Sequence, residues 1–350
     1  MYVCQNRRGD NYIACLAATT LRNAVDHEIL STLLKKDLAS SSPEKQLLAL
    51  FCVTNLRQEA YLNKAIQGTI LGLTKSADAW IRKKAYAALI ALTRKAQIAG
   101  ESLAIDANFP FTMASSLEKE GDFGVLTASI PLLLLHVKKS EPALRGAGEI
   151  EHSTNAVSST VVATTPSETD TAASSPTQDL YPYACCIAPS VAILHILMCK
   201  ESERECDGTG WREVYPDYRF YSVPCPWLIA SLLRFLAVYP LADCAEGSVL
   251  NALTSMLLKF NSKVVESALS TPSNRDKNVT IFSIFFAICD LVVEQPSMRG
   301  SDLALSCKSI LYCRILNAND RQARGDHNTF AMALASLAKF ARQEENFFGG

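Results

Sequence analysis

The sequence has few of the features that mark several common classes of protein. Only 15 of its 350 residues are glycine, and neither G-x-G-x-x-G nor G-x-x-x-x-G-K-[ST] occurs, which excludes the usual glycine-rich phosphate-binding loops. G-x-S-x-G and H-E-x-x-H are also absent, so neither a nucleophile elbow nor a zinc-protease helix is indicated. The net charge is −1, and without a basic excess the sequence does not predict nucleic-acid binding.

Long apolar runs are missing as well. The longest are Ile187–Met198, which contains Pro189, and Ile281–Val293, which contains Asp290. Both are shorter than the roughly 18 residues that a membrane-spanning helix needs. The first ten residues are polar and no apolar segment of a signal peptide follows them, so we expect a soluble protein with no transmembrane segment.

Cysteine is abundant, with 12 residues, but no C-x-x-C pair occurs. Six of the cysteines lie within apolar helical patterns, namely Cys15, Cys52, Cys199, Cys289, Cys307 and Cys313. We interpret them as reduced, buried thiols of a cytosolic protein. The alternative is a disulfide framework.

The residues that could carry chemistry do not form a recognisable site. The five histidines are scattered and lack metal-ligand spacing: His27, His136, His152, His195 and His327. His195 lies in an apolar helix and is predicted to be a core residue. Acidic pairs such as Glu118 and Glu120 are predicted to be solvated. The sequence therefore predicts no enzyme, no cofactor and no catalytic, cofactor-binding or metal-binding residue, and it leaves any ligand-binding residues unknown.

Three basic clusters occur, Lys35/Lys36, Arg82/Lys83/Lys84 and Arg94/Lys95. The first and the third fall near predicted helix C-termini, where positive charge is favourable. We interpret them as serving the helix dipole and solubility. The alternative is binding to anionic lipid or to an acidic partner.

Helical periodicity dominates the rest of the chain, which is 49% hydrophobic and 20% charged. Helices are predicted at about 10–24, 26–38, 43–57, 59–74, 78–97, 109–119, 122–138, 183–200, 226–239, 246–260, 277–294, 301–316 and 326–345. Comparable starts at Ser42, Asp78 and Asp122 lie 36 and 44 residues apart. Helix pairs that repeat about every 40 residues are typical of HEAT and armadillo repeats, which stack into a curved superhelix.

Two polar segments interrupt this pattern. Residues 139–180 are dominated by serine and threonine from Ser153 to Thr177, and such a composition does not bury enough apolar surface to fold. We predict a disordered insertion between helices of one solenoid, which extends over 1–138 and continues over 181–350. Residues 201–217 are predicted to form a second loop.

The segment Tyr221-Ser222-Val223-Pro224-Cys225-Pro226-Trp227-Leu228 is the most specific in the chain. Pro224 and Pro226 prevent a helix from starting earlier, and Pro226 suits the first turn of a helix that buries Leu228, Leu232, Leu233 and Leu236 and stops at Pro240. This segment resembles the Val-Pro-x-Pro-Trp-Leu segment of the alpha-adaptin family, the large chains of the plasma-membrane clathrin adaptor.

Two further segments are similar to that family. Residues 34–43, Leu-Lys-Lys-Asp-Leu-Ala-Ser-Ser-Ser-Pro, resemble its Lys-x-Asp-Leu-x-Ser-x-x-Pro bridge, and residues 82–89, Arg-Lys-Lys-Ala-Tyr-Ala-Ala-Leu, resemble one of its trunk helices. The resemblance covers residues 10–140 and 181–345. It implies an all-α fold, a right-handed α-solenoid of HEAT/armadillo-like helical hairpins. The family's first trunk helices, hinge and appendage have no counterpart here, so no lipid- or cargo-binding residue is assigned.

The resemblance also implies a function. The chain is expected to be a non-catalytic trunk of a clathrin adaptor large subunit, which scaffolds a heterotetramer with a beta-type large, a medium and a small chain and reaches the clathrin coat through that complex. Its expected location is the cytoplasm, peripheral at plasma-membrane coated pits and endocytic vesicles. The alternative is a HEAT-repeat scaffold of another transport or coat complex, such as gamma or beta adaptin, coatomer or an importin-like protein.

Overall fold

The computed structural model describes residues 27–55, 60–100, 108–148, 181–199, 218–221, 223–270, 275–316 and 327–348. These parts are mostly helical and their helices pack against each other, which confirms the all-α prediction. The α-helices are α1 His27–Leu38, α2 Pro43–Asn55, α3 Ala60–Leu73, α4 Ala79–Ile98, α5 Phe109–Lys119, α6 Phe123–Gly148, α7 Ile187–Cys199, α8 Pro226–Val238, α9 Leu241–Cys244, α10 Gly247–Phe260, α11 Glu266–Ser270, α12 Arg275–Glu294, α13 Asp302–Ser309 and α14 His327–Phe348. The helix predicted at 10–24 and the loop predicted at 201–217 lie outside the described residues.

Short elements connect some of these helices. A 3₁₀ turn, Ala184–Cys186, precedes α7, and another, Pro296–Met298, follows α12. Two π-helical segments, Asn261–Val265 and Ile310–Leu316, continue α10 and α13. Strand β1 (Arg219–Phe220) pairs antiparallel with β2 (Val223–Pro224) just before α8. The sequence did not predict this strand pair.

The helices pack in two rows of alternate elements. In the first row, α2 contacts α4, α4 contacts α6, and the series continues through α8 and α12 to α14. In the second row, α1 contacts α3, and a further series runs from α5 through α7 and α10 to α13. The rows are joined where consecutive helices pack as hairpins: α1 on α2, α3 on α4, α5 on α6 and α7 on α8. Most long helices therefore contact a neighbour along their own row and a partner in the other row.

The buried faces agree with the predicted apolar stripes. In α4, the predicted residues Ile81, Ala85, Ala88, Leu89 and Leu92 are all buried. In α8, the predicted leucines 228, 232, 233 and 236 have no exposed surface. Each fully buried leucine side chain contributes about 1.5–3 kcal/mol through removal of apolar area from water, so α8 is one of the most firmly packed helices of the first row.

The predicted helix starts at residues 42, 78 and 122 are confirmed. Asp78 Oδ1 accepts a hydrogen bond from the amide of Trp80 at 2.8 Å, and Asp122 Oδ1 accepts one from the amide of Gly124 at 2.7 Å. Ser42 Oγ accepts a longer one from the amide of residue 45 at 3.4 Å, with Pro43 as the first helical residue. These side chains satisfy amides that have no partner inside their helices, and the three helices they open, α2, α4 and α6, are successive members of the first row.

A buried ion pair between Arg82 and Glu120 joins two of these helix starts. Arg82 Nε and Nη2 donate to the two carboxylate oxygens at 2.7 and 2.8 Å, and Nη1 donates to the carbonyl oxygens of Ser76 and Ala77. Only 6% of the Glu120 side chain is exposed. The prediction that Glu120 is solvated is wrong, because the bend between α5 and α6 places its carboxylate against the first turn of α4. Arg82 is likewise a structural residue and not part of a solvated basic cluster.

Helix α6 is longer than predicted. It continues through residues 139–148, which the sequence assigned to the insertion. Lys139, Glu141, Ala143, Leu144 and Arg145 are good helix formers, so this part of the predicted insertion extends the preceding helix. Residues 149–180 lie outside the described residues, and their predicted disorder stays a prediction.

The cysteines differ in state. Among the residues that the structure describes, seven are free: Cys185, Cys186, Cys225, Cys244, Cys289, Cys307 and Cys313. Cys313 is exposed, in contrast to its predicted burial, because it lies on the outer side of the second π-helical segment. Cys52 is disulfide-bonded, which departs from the prediction that all of these thiols are reduced.

The end of α8 is held by one side chain, Gln295. Its Nε2 atom lies 2.8, 2.9 and 2.7 Å from the carbonyl oxygens of Leu236, Ala237 and Tyr239, and its Oε1 atom accepts a hydrogen bond from the amide of Leu241 at 3.1 Å. Only 2% of Gln295 is exposed. The last carbonyls of a helix have no partner within it, so this amide supplies a buried cap from the residue that follows α12.

We expect Gln295→Ala to lower the free energy of unfolding by about 3 kcal/mol, because it leaves buried carbonyl groups and one buried amide without a partner. Urea denaturation followed by circular dichroism measures the change. Gln97→Ala, at an exposed position of α4, is the matched control and should change stability by less than about 0.5 kcal/mol. Equal effects of the two substitutions would contradict the capping role.

Candidate protein-interaction surface

The segment before α8 folds as a tight ribbon. Arg219 pairs with Pro224 and Phe220 pairs with Val223 across the two short strands. The amide of Cys225 donates to the carbonyl oxygen of Tyr218 at 2.8 Å and closes the ribbon. The first turn of α8 follows at once, with Pro226 as its first residue and Pro240 beyond its end. The predicted start and end of this helix are confirmed.

Two residues of this ribbon adopt left-handed backbone angles although neither is glycine. The φ angle of Tyr221 is 47° and that of Cys225 is 40°. Such a conformation costs about 1–2 kcal/mol for a residue with a side chain, and it persists where the surrounding structure holds it. At Cys225 that support is visible: the residue is fully buried, and burial raises the pKa of its thiol to about 12.

Three exposed aromatic rings lie together on this ribbon, and we call Phe220, Tyr221 and Trp227 the aromatic cluster. The ring centroids of Phe220 and Tyr221 are 4.6 Å apart with an angle of 77° between the planes. Those of Phe220 and Trp227 are 5.9 Å apart at 61°. The three residues are 45%, 46% and 43% exposed. Aromatic residues with this much free surface are enriched in the centres of protein interfaces.

The positions of these rings follow from the local backbone. Trp227 faces solvent because the neighbouring positions Leu228 and Ile229 form the buried side of α8. Sequence reasoning identified the prolines and Trp227 as a rigid helix entry but did not predict a surface site. A signal was present: two aromatic residues, at 220 and 221, closely precede the Pro-x-Pro-Trp motif.

One carboxylate acts on the titration of the aromatic cluster. The interaction with Asp276 raises the pKa of Tyr221. Asp276 is exposed in the first turn of α12, and α12 packs against β2. Arg219 is close enough to the buried Cys225 thiol to influence its pKa. Adjacent strand residues point to opposite faces, so Arg219 lies on the side of the ribbon away from Phe220.

Some other large apolar side chains are also exposed. Trp80 is 65% exposed at the start of α4, and Lys83 Nζ lies 5.6 Å from its ring centroid. Phe51 and Phe111 are 51% and 53% exposed. Isolated exposed apolar residues are common on soluble proteins, so these positions do not by themselves mark a site.

The predicted basic clusters serve different purposes in the structure. Lys35 and Lys36 are exposed in the last turn of α1, where positive charge was predicted to be favourable. Lys95 is half-buried and its Nζ donates to the carbonyl oxygens of Val53 and Thr54, both at 3.0 Å. It therefore caps the end of α2, and burial lowers its pKa.

The histidines differ in how exposed they are. His195 is exposed, and the prediction that it is a core residue is wrong, because it shares the outer face of α7 with Ala188 and Ala192. His136 is buried, with its ring centroid 5.2 Å from that of Phe109. His152 lies outside the described residues. Within the described ranges, no group of three or more His, Cys, Asp or Glu side chains is arranged to hold a metal ion, and no helix is long and apolar enough to cross a membrane.

Compared with models of known protein families and with curated proteins, the chain shows no match. The adaptin-like segments are therefore a resemblance carried by the sequence motifs at residues 34–43, 82–89 and 221–228.

The left-handed angle at Tyr221 gives a stability test. We expect Tyr221→Gly to be more stable than Tyr221→Ala by about 1 kcal/mol, because both lose the ring but only alanine keeps a strained β-carbon. Chemical denaturation of the two variants measures the difference. The same pair at Val279, an exposed position within α12, should show the opposite order by about 1 kcal/mol. If alanine is the more stable residue at both positions, the strain at residue 221 is refuted.

Proposed function

We propose that the chain is a non-catalytic helical scaffold that holds other proteins, and that it serves as the trunk of a clathrin adaptor large subunit. In this proposal the two rows of helices form a right-handed α-solenoid. The observation that supports it best is the packing of alternate helices, since an array in which each element contacts its neighbours presents long surfaces on both sides.

The use of charged groups between helices is consistent with a scaffold. Arg82 and Glu120 connect two helix starts, and Lys95 caps the end of a neighbouring helix. Near the other end of the first row, Lys339 of α14 pairs with Asp290 of α12 at 2.6 Å. These groups fix one helix against the next, which is the role expected in a chain whose task is to keep a shape.

The segment that carries the resemblance also carries Tyr221 and Trp227 of the aromatic cluster. Pro226 starts α8, Leu228 anchors it in the core and Trp227 faces solvent. One short motif therefore both fixes a central helix and presents a recognition element beside it, as a protein-binding trunk requires.

The partners that follow from this proposal are a beta-type large chain, a medium chain and a small chain. The assembled complex contacts clathrin and associates peripherally with coated pits and endocytic vesicles from the cytoplasm. A second candidate is a HEAT-repeat scaffold of another transport or coat complex, such as gamma or beta adaptin, coatomer or an importin-like protein. The alternate helix packing supports both candidates equally, and the motif at 221–228 favours the adaptor.

Co-purification tests the proposal. We expect the tagged chain, expressed together with beta-type large, medium and small adaptor chains, to recover all three at equal stoichiometry through size-exclusion chromatography. An unrelated helical-repeat protein serves as the matched control bait. For the second candidate, the tagged chain is tested in the same way with coatomer and importin-type partner sets. Recovery of none of the adaptor chains by a folded, monodisperse bait contradicts the adaptor proposal, and recovery of another partner set identifies the second candidate.

A further inference from the structure

We propose that Cys185 and Cys186 together form a chelating dithiol site for one trivalent arsenical, a soft, thiophilic ligand that accepts two sulfur atoms. The inference goes beyond the proposed scaffold role and does not rest on it. Its basis is the position of two free thiols, one accessible and one anchored, on the same turn of the chain.

The covalent structure brings the two sulfur atoms together. Cys185 and Cys186 are the one pair of adjacent cysteines in the sequence, and both belong to the 3₁₀ turn before α7. The Cα atoms of consecutive residues are about 3.8 Å apart, so rotation of two short side chains is enough to direct both sulfurs to one atom. The pairing therefore does not depend on how distant helices pack.

The two thiols differ in access to solvent. Cys186 has no exposed surface, and its Sγ atom donates to the carbonyl oxygen of Pro110 in α5 at 3.7 Å. Cys185 is partly exposed, and its Sγ atom donates to the carbonyl oxygen of Pro182 at 3.6 Å. An arsenical from solvent therefore meets Cys185 first, and the anchored thiol of Cys186 is held next to it as the second ligand.

The titration of the pair suits this order of reaction. The interaction with Cys186 lowers the pKa of Cys185, which increases the share of thiolate, the form that attacks an electrophile. The same interaction, followed by burial, raises the pKa of Cys186. This second thiol therefore keeps its proton until Cys185 has reacted.

The binding reaction balances without an oxidant. In water phenylarsine oxide carries two hydroxyl groups on its arsenic atom. Cys185 forms the first As–S bond, and the hydroxyl group that it displaces leaves with the proton of that thiol as water. Cys186 forms the second As–S bond, and its proton leaves with the second hydroxyl group, again as water. Arsenic stays trivalent and neither sulfur is oxidised.

Chelation is favoured over a disulfide between the same two residues. The Cα atoms of a disulfide usually lie about 4.4–6.8 Å apart, whereas those of neighbouring residues are about 3.8 Å apart, so a direct S–S bond would strain the turn. An arsenic atom between the sulfurs lengthens the bridge and removes that restriction. Thiolates also select soft centres over Mg²⁺ or Ca²⁺.

The other free thiols in the described ranges lack this combination of features. Cys225, Cys289 and Cys307 have no exposed surface, so a reagent in solvent does not reach them in the folded chain. Cys244 and Cys313 are accessible, but no residue adjacent to either is a cysteine. Cys313 therefore provides a matched control with a single exposed thiol.

Capture of an arsenical by the full chain tests the site. The folded chain is incubated with equimolar phenylarsine oxide and challenged with excess glutathione, which competes through one thiol at a time. Mass spectrometry of the chain and of its peptides then measures the adduct. We expect one phenylarsenic group per chain, located on the peptide that contains residues 185–186, and its release by the dithiol dimercaptopropanol.

Single substitutions measure the gain from chelation. Cys185→Ser and Cys186→Ser should each lower the affinity for phenylarsine oxide at least about 100-fold, because the second bond of the wild-type complex forms within one molecule. Cys313→Ser should retain the wild-type affinity. Circular dichroism checks the fold of each variant, and Cys185→Ser, at the partly exposed position, carries the test if Cys186→Ser does not fold.

Three results would overturn the proposal. The first is a glutathione-resistant adduct that lies only on peptides without residues 185–186. The second is equal affinity of the wild type and of folded Cys185→Ser. The third is capture at this pair only in urea, which would show that the folded chain closes the site. None of these measurements involves adaptor subunits, so failure here and failure of the co-purification are separate findings.

Discussion

The packing of α8 between α6 and α12 is the contact on which the rest of the structure depends. This helix lies in the middle of the first row, and four of its leucines have no exposed surface. Both of its ends are fixed by residues from outside the helix. At the start, the strand pair that precedes Pro226 sets its direction. At the end, Gln295 binds its last carbonyls, and the hydroxyl of Tyr239 accepts a hydrogen bond from the amide of Tyr183 at 2.8 Å.

A network of polar contacts links the earlier helices to this centre. Arg82 binds Glu120, and Glu120 Oε1 accepts a hydrogen bond from the amide of Asp122 at 2.9 Å. The Tyr218 hydroxyl approaches the carboxylate of Asp122 at 3.5 Å. It also closely approaches Gly124, where a β-carbon would collide with it. Glycine is unfavourable in a helix, and here its small size lets the ribbon before α8 contact the first turn of α6.

Much of the architecture follows from short-range signals in the sequence. Asp78 and Asp122 open helices because a carboxylate accepts hydrogen bonds from the first amides. Pro226 marks the start of α8 because the φ angle of proline suits the first helical position, where an amide hydrogen is not needed. Contacts between distant residues were not predictable in this way. Glu120 looks like a solvated acid until the bend after α5 places it 2.7 Å from Arg82.

In the candidate surface, too, local features follow from the sequence and contacts between distant residues do not. Periodicity places Trp227 on the outside of α8, but the packing of α12 against β2 joins distant parts of the chain, and the sequence contains no local signal for it. His195 illustrates the reverse error: an apolar neighbourhood in sequence suggested burial, whereas the rotation of α7 turns it to solvent together with two alanines. Which side chains of a helical array face solvent depends on how each helix is rotated about its own axis, and composition does not specify that rotation.

Hydrogen–deuterium exchange of the intact chain, resolved by peptide, tests the central position of α8 most directly. Amides in well-packed helices open only through large-scale unfolding, and those of poorly covered helices open locally. The account predicts that peptides from residues 228–238 exchange at least about tenfold more slowly than those of α14, whose outer face carries exposed Phe330, Met332 and Leu334. Exchange in α8 as fast as in α14 would contradict the claim that the first row is anchored at this helix.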